Sequence, residues 1–307
     1  MPGGRGGRPD AGTGNDRPRR LTGLHAANGP PSTSPICGRP AESAVPLAKG
    51  IVRPVNTVVA RAARLLQPAR KVLVFSGAGI STESGIPDFR GPNGLWTRMD
   101  PDDFTIDRYL QDPEVRKRSW MMHQQGFLGG MLEARPNRAH HAVVRLWEHD
   151  RMAGCVTQNI DGLHQAAGLP DEEVAELHGN LRRVHCTACP ASWEIDEILA
   201  VVAGGDPDPA CSACGAVVKT STVLFGELLP EATFERAVKI VARADAVLAV
   251  GSTLTVYPAA DLVRTAVMDG ADLVIVNQGE TAFDSLAAAL VDHPAGEVLP
   301  ELVSAIT

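Results

Sequence analysis

The 307-residue chain is poor in aromatic residues, at 4%, and poorer in lysine, with 5 against 24 arginines. It has no long apolar run. No stretch approaches the 18 apolar residues of a membrane-crossing helix. The opening MPGGRGGRPDAG lacks the hydrophobic segment of a secretory signal, so a cytoplasmic, reducing location is expected. Residues 1–54 carry 8 Lys/Arg and 3 Asp/Glu, whereas the remaining 253 carry 21 and 33. A body that acidic is a poor electrostatic match for nucleic acid, so neither nucleic acid nor membrane is an expected partner. At 44% apolar and 21% charged, the rest is ordinary for an α/β protein.

Residues 1–50 are dominated by Gly, Pro, Arg, Ser and Ala without periodicity. Such a segment cannot bury enough surface to offset its ordering entropy, and it reads as a disordered tail. Order begins with a helix over 56–66, capped by Asn56 or Thr57 and ended by Pro68.

The stretch Lys71 to Trp96, KVLVFSGAGISTESGIPDFRGPNGLW, carries the strongest local signal. Val72–Phe75 is a short β-branched and aromatic run, suited to a strand buried on both faces. Ser76-Gly77-Ala78-Gly79 follows, and glycines there let backbone N–H groups approach a phosphate. Ile80 to Gly85 is expected to enter a helix, with Ser81 and Ser84 as caps or phosphate donors. Asp88 and Arg90 then add a carboxylate and a guanidinium. As a dinucleotide fingerprint the stretch is incomplete, because Thr82 stands where a third glycine belongs. A glycine turn after a buried strand explains the glycines alone equally well.

Three further apolar runs end in the same way. Cys155–Thr157 leads into Gln158-Asn159-Ile160-Asp161, Ala246–Val250 into Gly251-Ser252-Thr253, and Leu273–Val276 into Asn277-Gln278-Gly279. Parallel sheets bind ligands beyond their strand carboxyl ends. Four such edges predict an α/β fold: a doubly wound parallel Rossmann-like sheet with a smaller zinc-ribbon plus helical module. The core is expected over about 55–98, 136–182 and 223–305 of a folded domain spanning 51–307. The helical module is placed at about 99–135, with apolar points Trp120, Met121, Phe127, Leu128 and Met131, and the zinc module at about 183–222. Pro136-Asn137 starts a further helix.

Cys186-x-x-Cys189 and Cys211-x-x-Cys214 are 21 residues apart, a spacing that suits four thiolates around one structural Zn²⁺. Two disulfides are the competing explanation, disfavoured in a reducing compartment. Cys155, inside an apolar strand, reads as packing. His123, His140, His141, His149 and His293 read as structural, and Thr222–Glu227 reads as another strand.

The string GAGIS followed by ESGIPDFRG and GLW resembles the sirtuins, NAD-dependent protein-lysine deacylases, over about residues 55–305. The resemblance implies that an acyl-lysine oxygen attacks C1′ of the nicotinamide ribose and expels nicotinamide. His178, in ELHGN, then acts as general base, so that the 2′-oxygen takes the acyl group and O-acyl-ADP-ribose leaves with free lysine. It places Asp88 and Asp161 on nicotinamide, Phe89 over the ribose face, Asn159 on ribose and water, and Gln158 on the ribose hydroxyls. Arg90 with the Ala78 and Gly79 amides takes the phosphates, assisted by Ser252 and Thr253. Asn277 serves the adenosine ribose and Ala295 the adenine. Gly77, Ser81, Trp96, Ile160, Gly251, Gln278 and Gly279 complete the NAD site. Val223, Phe225, Gly226 and Glu227 pair with the substrate segment in a strand ending in FGE. The family's proline before that strand is missing here, where the chain reads Lys219-Thr220-Ser221-Thr222. Relatives that remove acidic acyl groups carry a Tyr-x-x-Arg pair. The matching places are Ser119 and Met122, which cannot pair with a carboxylate, so neutral acyl groups are expected. An NAD-dependent ADP-ribosyltransferase, or a non-catalytic NAD-sensing zinc-binding module, are the alternatives.

Overall fold

The computed structural model describes residues 55–89, 91, 94–97, 100–125 and 129–307, without the side chains of Val55, Asn56 and Trp96. The expected tail, Arg90, Phe127 and Leu128 lie outside the described residues, as does the side chain of the expected cap Asn56. Along the chain run α1 (Val55–Leu66), β1 (Val72–Ser76), α2 (Ile106–Gln111), α3 (Pro113–Gln124), α4 (Gly129–Glu133), α5 (Arg138–Glu148), β2 (Met152–Thr157), α6 (Leu163–Ala167), β3 (Val174–Glu176) and β4 (Arg183–Cys186). They are followed by β5 (Ser192–Glu194), α7 (Ile195–Ala203), β6 (Val218–Thr220), α8 (Glu231–Val241), β7 (Ala246–Val250), α9 (Ala259–Met268), β8 (Asp272–Val276), β9 (Ala289–Val291) and α10 (Ala295–Ile306).

Six of these strands form one parallel sheet in the order β3-β2-β1-β7-β8-β9. Numbered within the sheet alone that order is 3-2-1-4-5-6, the doubly wound arrangement whose direction reverses beside the first strand. The sequence reading found the inner four strands and missed β3 and β9, each three residues long. β1, β2 and β7 are buried at every position. Their side chains alternate between two cores. Val72, Val74, Leu248 and Val250 pack under α1, α5 and α10, whereas Leu73, Phe75, Val247 and Ala249 pack under α8 and α9. Helices on both faces explain why these strands read as unbroken apolar runs rather than as alternating ones.

The second sheet is antiparallel, in the order β5-β4-β6. Together with α7 it shares a core with the helical segment through Trp120, Met131, Val184, Ile195, Ile198 and Val218. A partly buried ion pair also links them. Arg116 on α3 meets both carboxylate oxygens of Asp208 at 2.8 Å, and its remaining nitrogen donates to the carbonyls of Tyr109 and Leu110 at 3.1 Å. The Tyr109 hydroxyl donates to the Val218 carbonyl on β6. Burial pushes that phenol's pKa up, with the nearby Asp208 charge adding to the rise.

Three local expectations are corrected. Residues 78–85 form two short 3₁₀ turns, Ala78–Ile80 and Thr82–Ser84, not the helix expected from Ile80 to Gly85. Thr222–Glu227 is not a regular strand; only Phe225 makes an isolated bridge, with Thr105, and the strand proper is β6. Met121, expected among the apolar contacts, is 45% exposed. Among the described residues no helix is long and apolar enough to cross a membrane.

Replacing Asp208 with Ala strands the Arg116 guanidinium in a nearly closed site. The expected cost is about 3 kcal/mol of unfolding free energy, read from urea denaturation. A variant within ~0.5 kcal/mol of the parent protein would show that the pair contributes little.

Candidate active site

Four strand ends lie level with one another. Ser76 pairs with Thr157 on one side and Val250 on the other, and Val250 pairs with Val276. The residues that follow therefore emerge side by side at one edge of the sheet: Gly77-Ala78-Gly79, Gln158-Asn159-Ile160-Asp161, Gly251-Ser252-Thr253 and Asn277-Gln278-Gly279. The direction of the sheet reverses between β1 and β7. There the two glycine loops touch backbone to backbone. Gly77 N–H donates to Val250 O at 3.0 Å and Gly79 N–H to Gly251 O at 2.9 Å. A Cβ on Gly79 would lie 2.6 Å from the Gly251 Cα. Gly251, at φ +59, has its own Cβ direction blocked 2.3 Å from Ile80 N. The glycines thus serve the meeting of two loops, a different close approach from the phosphate contact expected of them. With the Gly79 amide held by Gly251, the Ala78 amide is the better placed of the two expected phosphate donors.

Under this edge lies a buried polar network. Asn159 and Asp161 are each 5% exposed. The Asn159 side-chain amide donates to Gly77 O and Ser81 Oγ, both at 3.2 Å. Ser81 donates to Asp161 Oδ2 at 2.7 Å, and the Leu163 amide donates to Asp161 Oδ1 at 2.9 Å. Ser81 is thereby a buried partner of Asp161, and its side chain makes no cap hydrogen bond of the kind expected. Ser76 Oγ donates to Thr157 Oγ1, which also accepts the Asn159 amide. With the Ser76 proton so placed, His164 Nε2–H donates to Ser76 Oγ at 2.8 Å. His140 accepts the Asn137 amide at Nδ1, completing the capping box of α5, and presents Nε2 to Ser81 Oγ at 3.5 Å. Burial lowers both histidine pKa values, that of His140 to about 3 with help from His164, and that of His164 to about 4. Both rings are therefore neutral. The expectation of a structural His140 agrees with this arrangement, but the contribution of Ser76, Thr157 and His164 escaped the sequence reading. A polar residue closing an otherwise apolar strand was the available signal.

His178 follows β3, half-buried, with Nδ1 2.9 Å from the carbonyl of Gln158. A carbonyl only accepts, so Nδ1 carries a proton and Nε2 is the ring nitrogen left to act as an acceptor. Gln158 also donates from Nε2 to Ser252 Oγ at 2.8 Å, tying the β2 edge to the β7 edge. Asp88 accepts the Gly91 amide within its own loop, Phe89 and Ile160 pack against the core cluster that includes Leu163, and Ala295 is buried at the start of α10. The next amide of α10, Gly296 N–H, donates to Glu83 Oε2. Arg90 and the Trp96 side chain lie outside the described residues. Glu227, expected to face the substrate, instead turns inward to Lys219 and the Leu224 amide.

The four expected metal ligands converge. Cys186 and Cys214 Sγ are 3.5 Å apart, Cys189 and Cys211 Sγ 3.6 Å, and all four lie within 4.8 Å of one another. Tetrahedral Zn–S bonds near 2.3 Å require S···S edges of about 3.8 Å, so this set fits one zinc ion.

Residues 77–258, more than half of the chain, match the Sir2 family. The chain belongs to the Sir2 family. This Sir2-family chain is 46% identical to the NAD-dependent protein deacetylase 2 of Streptomyces coelicolor over 235 residues, which cover 76% of this chain and 96% of that protein. It is 40% identical to the NAD-dependent protein deacetylase of Thermotoga maritima over 223 residues, 73% and 88% of the two chains. A solved Sir2 complex with a p53 peptide and NAD+ matches with a TM-score of 0.70 at 35% identity, over 78% of this chain and 95% of that one. A Sir2 variant with deacetylated p53 peptide and 3′-O-acetyl ADP ribose matches at 0.72 and 36%, over 79% and 96%.

The neutral buried histidines generate a pH dependence. His123, at the buried side of α3, is likewise lowered to about 4 by burial. A folded pKa below that of free histidine means the neutral ring stabilises the fold above pH ~6.5, and this is lost as pH falls toward 4. His123 and His164 are each expected to withdraw roughly 3 kcal/mol by pH 4, so the urea midpoint should drop steeply from pH 6.5 downward. A midpoint flat across that range would contradict the assignment.

Proposed function

We propose that this chain is an NAD-dependent protein-lysine deacylase of neutral acyl groups, with His178 as general base. The observation that carries the reading is the His178–Gln158 hydrogen bond, which leaves the imidazole lone pair on Nε2, beside the edge where four strands end. Gln158 then serves twice, since its carbonyl fixes the histidine tautomer while its side chain holds Ser252. The names of the relatives and the peptide and ADP-ribose ligands of the structural neighbours support the same reaction class.

Bound NAD supplies an anomeric carbon made electrophilic by its pyridinium leaving group. Around it, Asn159 orients ribose and water, Asp161 and Asp88 orient nicotinamide, and Phe89, Ile160 and Trp96 exclude water from the ribose face. Asp161 is suited to this because Ser81 and the Leu163 amide hold it rigidly. The Ala78 amide, Arg90, Ser252 and Thr253 take the phosphates, with Gly77, Gly79 and Gly251 letting the two loops close beneath them. Asn277, Gln278 and Gly279 hold the distal ribose, and Ala295 lies toward adenine. The hydroxyl, amide and carboxamide donors along this edge suit a polyphosphate diester flanked by ribose hydroxyls. His178 Nε2 draws the proton of a ribose hydroxyl as its oxygen attacks the acyl carbon.

On the substrate side both Phe225 backbone groups are engaged, its N–H with Phe104 O and its carbonyl with Ile106 N. The acyl-lysine segment is therefore assigned to the Val223 carbonyl and to Gly226, with the exposed Phe225 side chain beside them. Ser119 and Met122 are half-buried on α3, and neither offers a charge to an acidic acyl group. A cytoplasmic setting, where thiols stay reduced, suits the zinc-binding cysteines. The acidic body favours protein segments over nucleic acid as partners.

Changing His178 to Ala should leave a folded, zinc-loaded protein and remove acyl transfer, lowering kcat/KM by about 10²–10⁴. The assay scores nicotinamide and free lysine together, with and without NAD. Unchanged turnover, or ADP-ribose appearing on the target instead of acyl loss, would count against the reading. Acetyl-lysine peptide should also be preferred to succinyl-lysine peptide, and the reverse preference would refute the neutral-acyl assignment.

A further inference from the structure

The stretch Lys219-Thr220-Ser221-Thr222, where the family's proline is missing, joins the small sheet to the segment that faces His178. Lys219 is 2% exposed, an unusual place for a lysine. Its ammonium has three hydrogens and finds three acceptors: Thr220 O at 3.1 Å, Thr222 O at 2.7 Å and the Glu227 carboxylate, 3.1 Å away at Oε2. Glu227 in turn accepts the Leu224 amide at 3.0 Å, and its own amide donates to Leu224 O at 3.0 Å. One charge pair, its lysine buried and its carboxylate half-buried, therefore closes the whole of residues 220–227 into a loop.

That loop lies directly on the proposed base. The Val223 amide donates to the carbonyl of His178 at 2.8 Å. A Cβ on Gly179, at φ +75, would fall 1.7 Å from Ser221 O, so Ser221 packs against bare backbone. Hydroxyls brace the same turn, Thr220 Oγ1 to Thr222 Oγ1 at 2.8 Å and Ser221 Oγ to His185 Nδ1 at 3.2 Å. Where a proline would stiffen the chain by its ring, here side-chain contacts hold it.

We propose that Lys219 is a positioning residue: its buried contact with Glu227 holds Val223–Gly226 against His178 in the shape that receives the acyl-lysine segment. The proposal rests on the deacylase reading for the identity of the ligand, but the clamp itself is a property of the free protein. Burial lowers the lysine's pKa and the Glu227 charge raises it, in keeping with an ammonium that needs its partner. A lysine placed only for packing would leave neighbouring amides indifferent to its head group.

The test uses the full-length protein with Lys219→Met, Lys219→Arg and Glu227→Gln. Hydrogen exchange at the Val223 and Leu224 amides should speed up at least about tenfold in Lys219→Met, and kcat/KM for acetyl-lysine peptide should fall about 10- to 100-fold. Most of that fall should appear in the peptide KM, while the KM for NAD stays within about twofold of the parent value. Lys219→Arg should recover part of both effects, and Glu227→Gln should loosen the same two amides even if Lys219→Met fails to fold. Unchanged exchange and unchanged peptide KM in Lys219→Met, or in Glu227→Gln, would overturn the proposal. A parent protein without NAD-dependent deacylation would sink the deacylase reading alone, because the exchange measurements still decide whether the clamp exists.

Discussion

Everything at this site depends on two loops being able to touch without side chains between them. The change in strand order leaves a notch between the parallel strands β1 and β7, and the notch is closed by Gly79 donating to Gly251 rather than by packing. Any side chain on either glycine would collide with backbone at under 3 Å, and backbone has no rotamer with which to yield. Forcing the loops apart would carry Ser81 away from Asp161 and Ser252 away from Gln158. Those two hydrogen bonds in turn place the carboxamide of Asn159 and the carbonyl that orients His178. The glycine contact thus sets geometry several residues from itself, through partners that are each buried or half-buried.

The network beneath the edge is polar but carries little charge. Its histidines are neutral by burial, and Asp161 is the carboxylate among them. A buried network with one carboxylate and directed donors resists reorganisation, which is the condition under which fixed dipoles act strongly on a neighbouring group. The cost is sensitivity to acid, since each neutral imidazole must take a proton on unfolding below its ordinary pKa.

The sheet was legible because burial on both faces writes itself as unbroken β-branched runs; Val72–Phe75, Ala246–Val250 and Leu273–Val276 could hardly be anything else. The zinc ligands were legible because two CxxC knuckles encode distance by covalent spacing. What stayed hidden was decided by tertiary contact. The expected helix after Gly79 failed because Ser81 is drawn inward to Asp161, an interaction 80 residues distant in sequence. The expected strand at Thr222–Glu227 failed because Glu227 folds back on Lys219 and Leu224, so the carboxylate ends the extended run instead of extending it. β3 and β9 were too short for any pattern to appear. Family resemblance, not periodicity, singled out His178 among nine histidines.

The small lobe is attached to the large sheet by its chemistry as much as by its core. Cys186 ends β4 and Val218 begins β6, so whatever gathers the four sulfurs also sets the distance between those strands. Lys219 lies within β6, and from there the chain reaches the Val223–His178 hydrogen bond within four residues. On the opposite side Asp208, three residues before Cys211, grips Arg116 of the helical segment. A metal ion held by four thiolates would therefore brace two walls at once: the loop that rests on the proposed base, and α3 of the helical segment. Distance along the chain does not make such an ion remote in mechanical terms, because Lys219 and the Val223–His178 hydrogen bond link β6 to the proposed base.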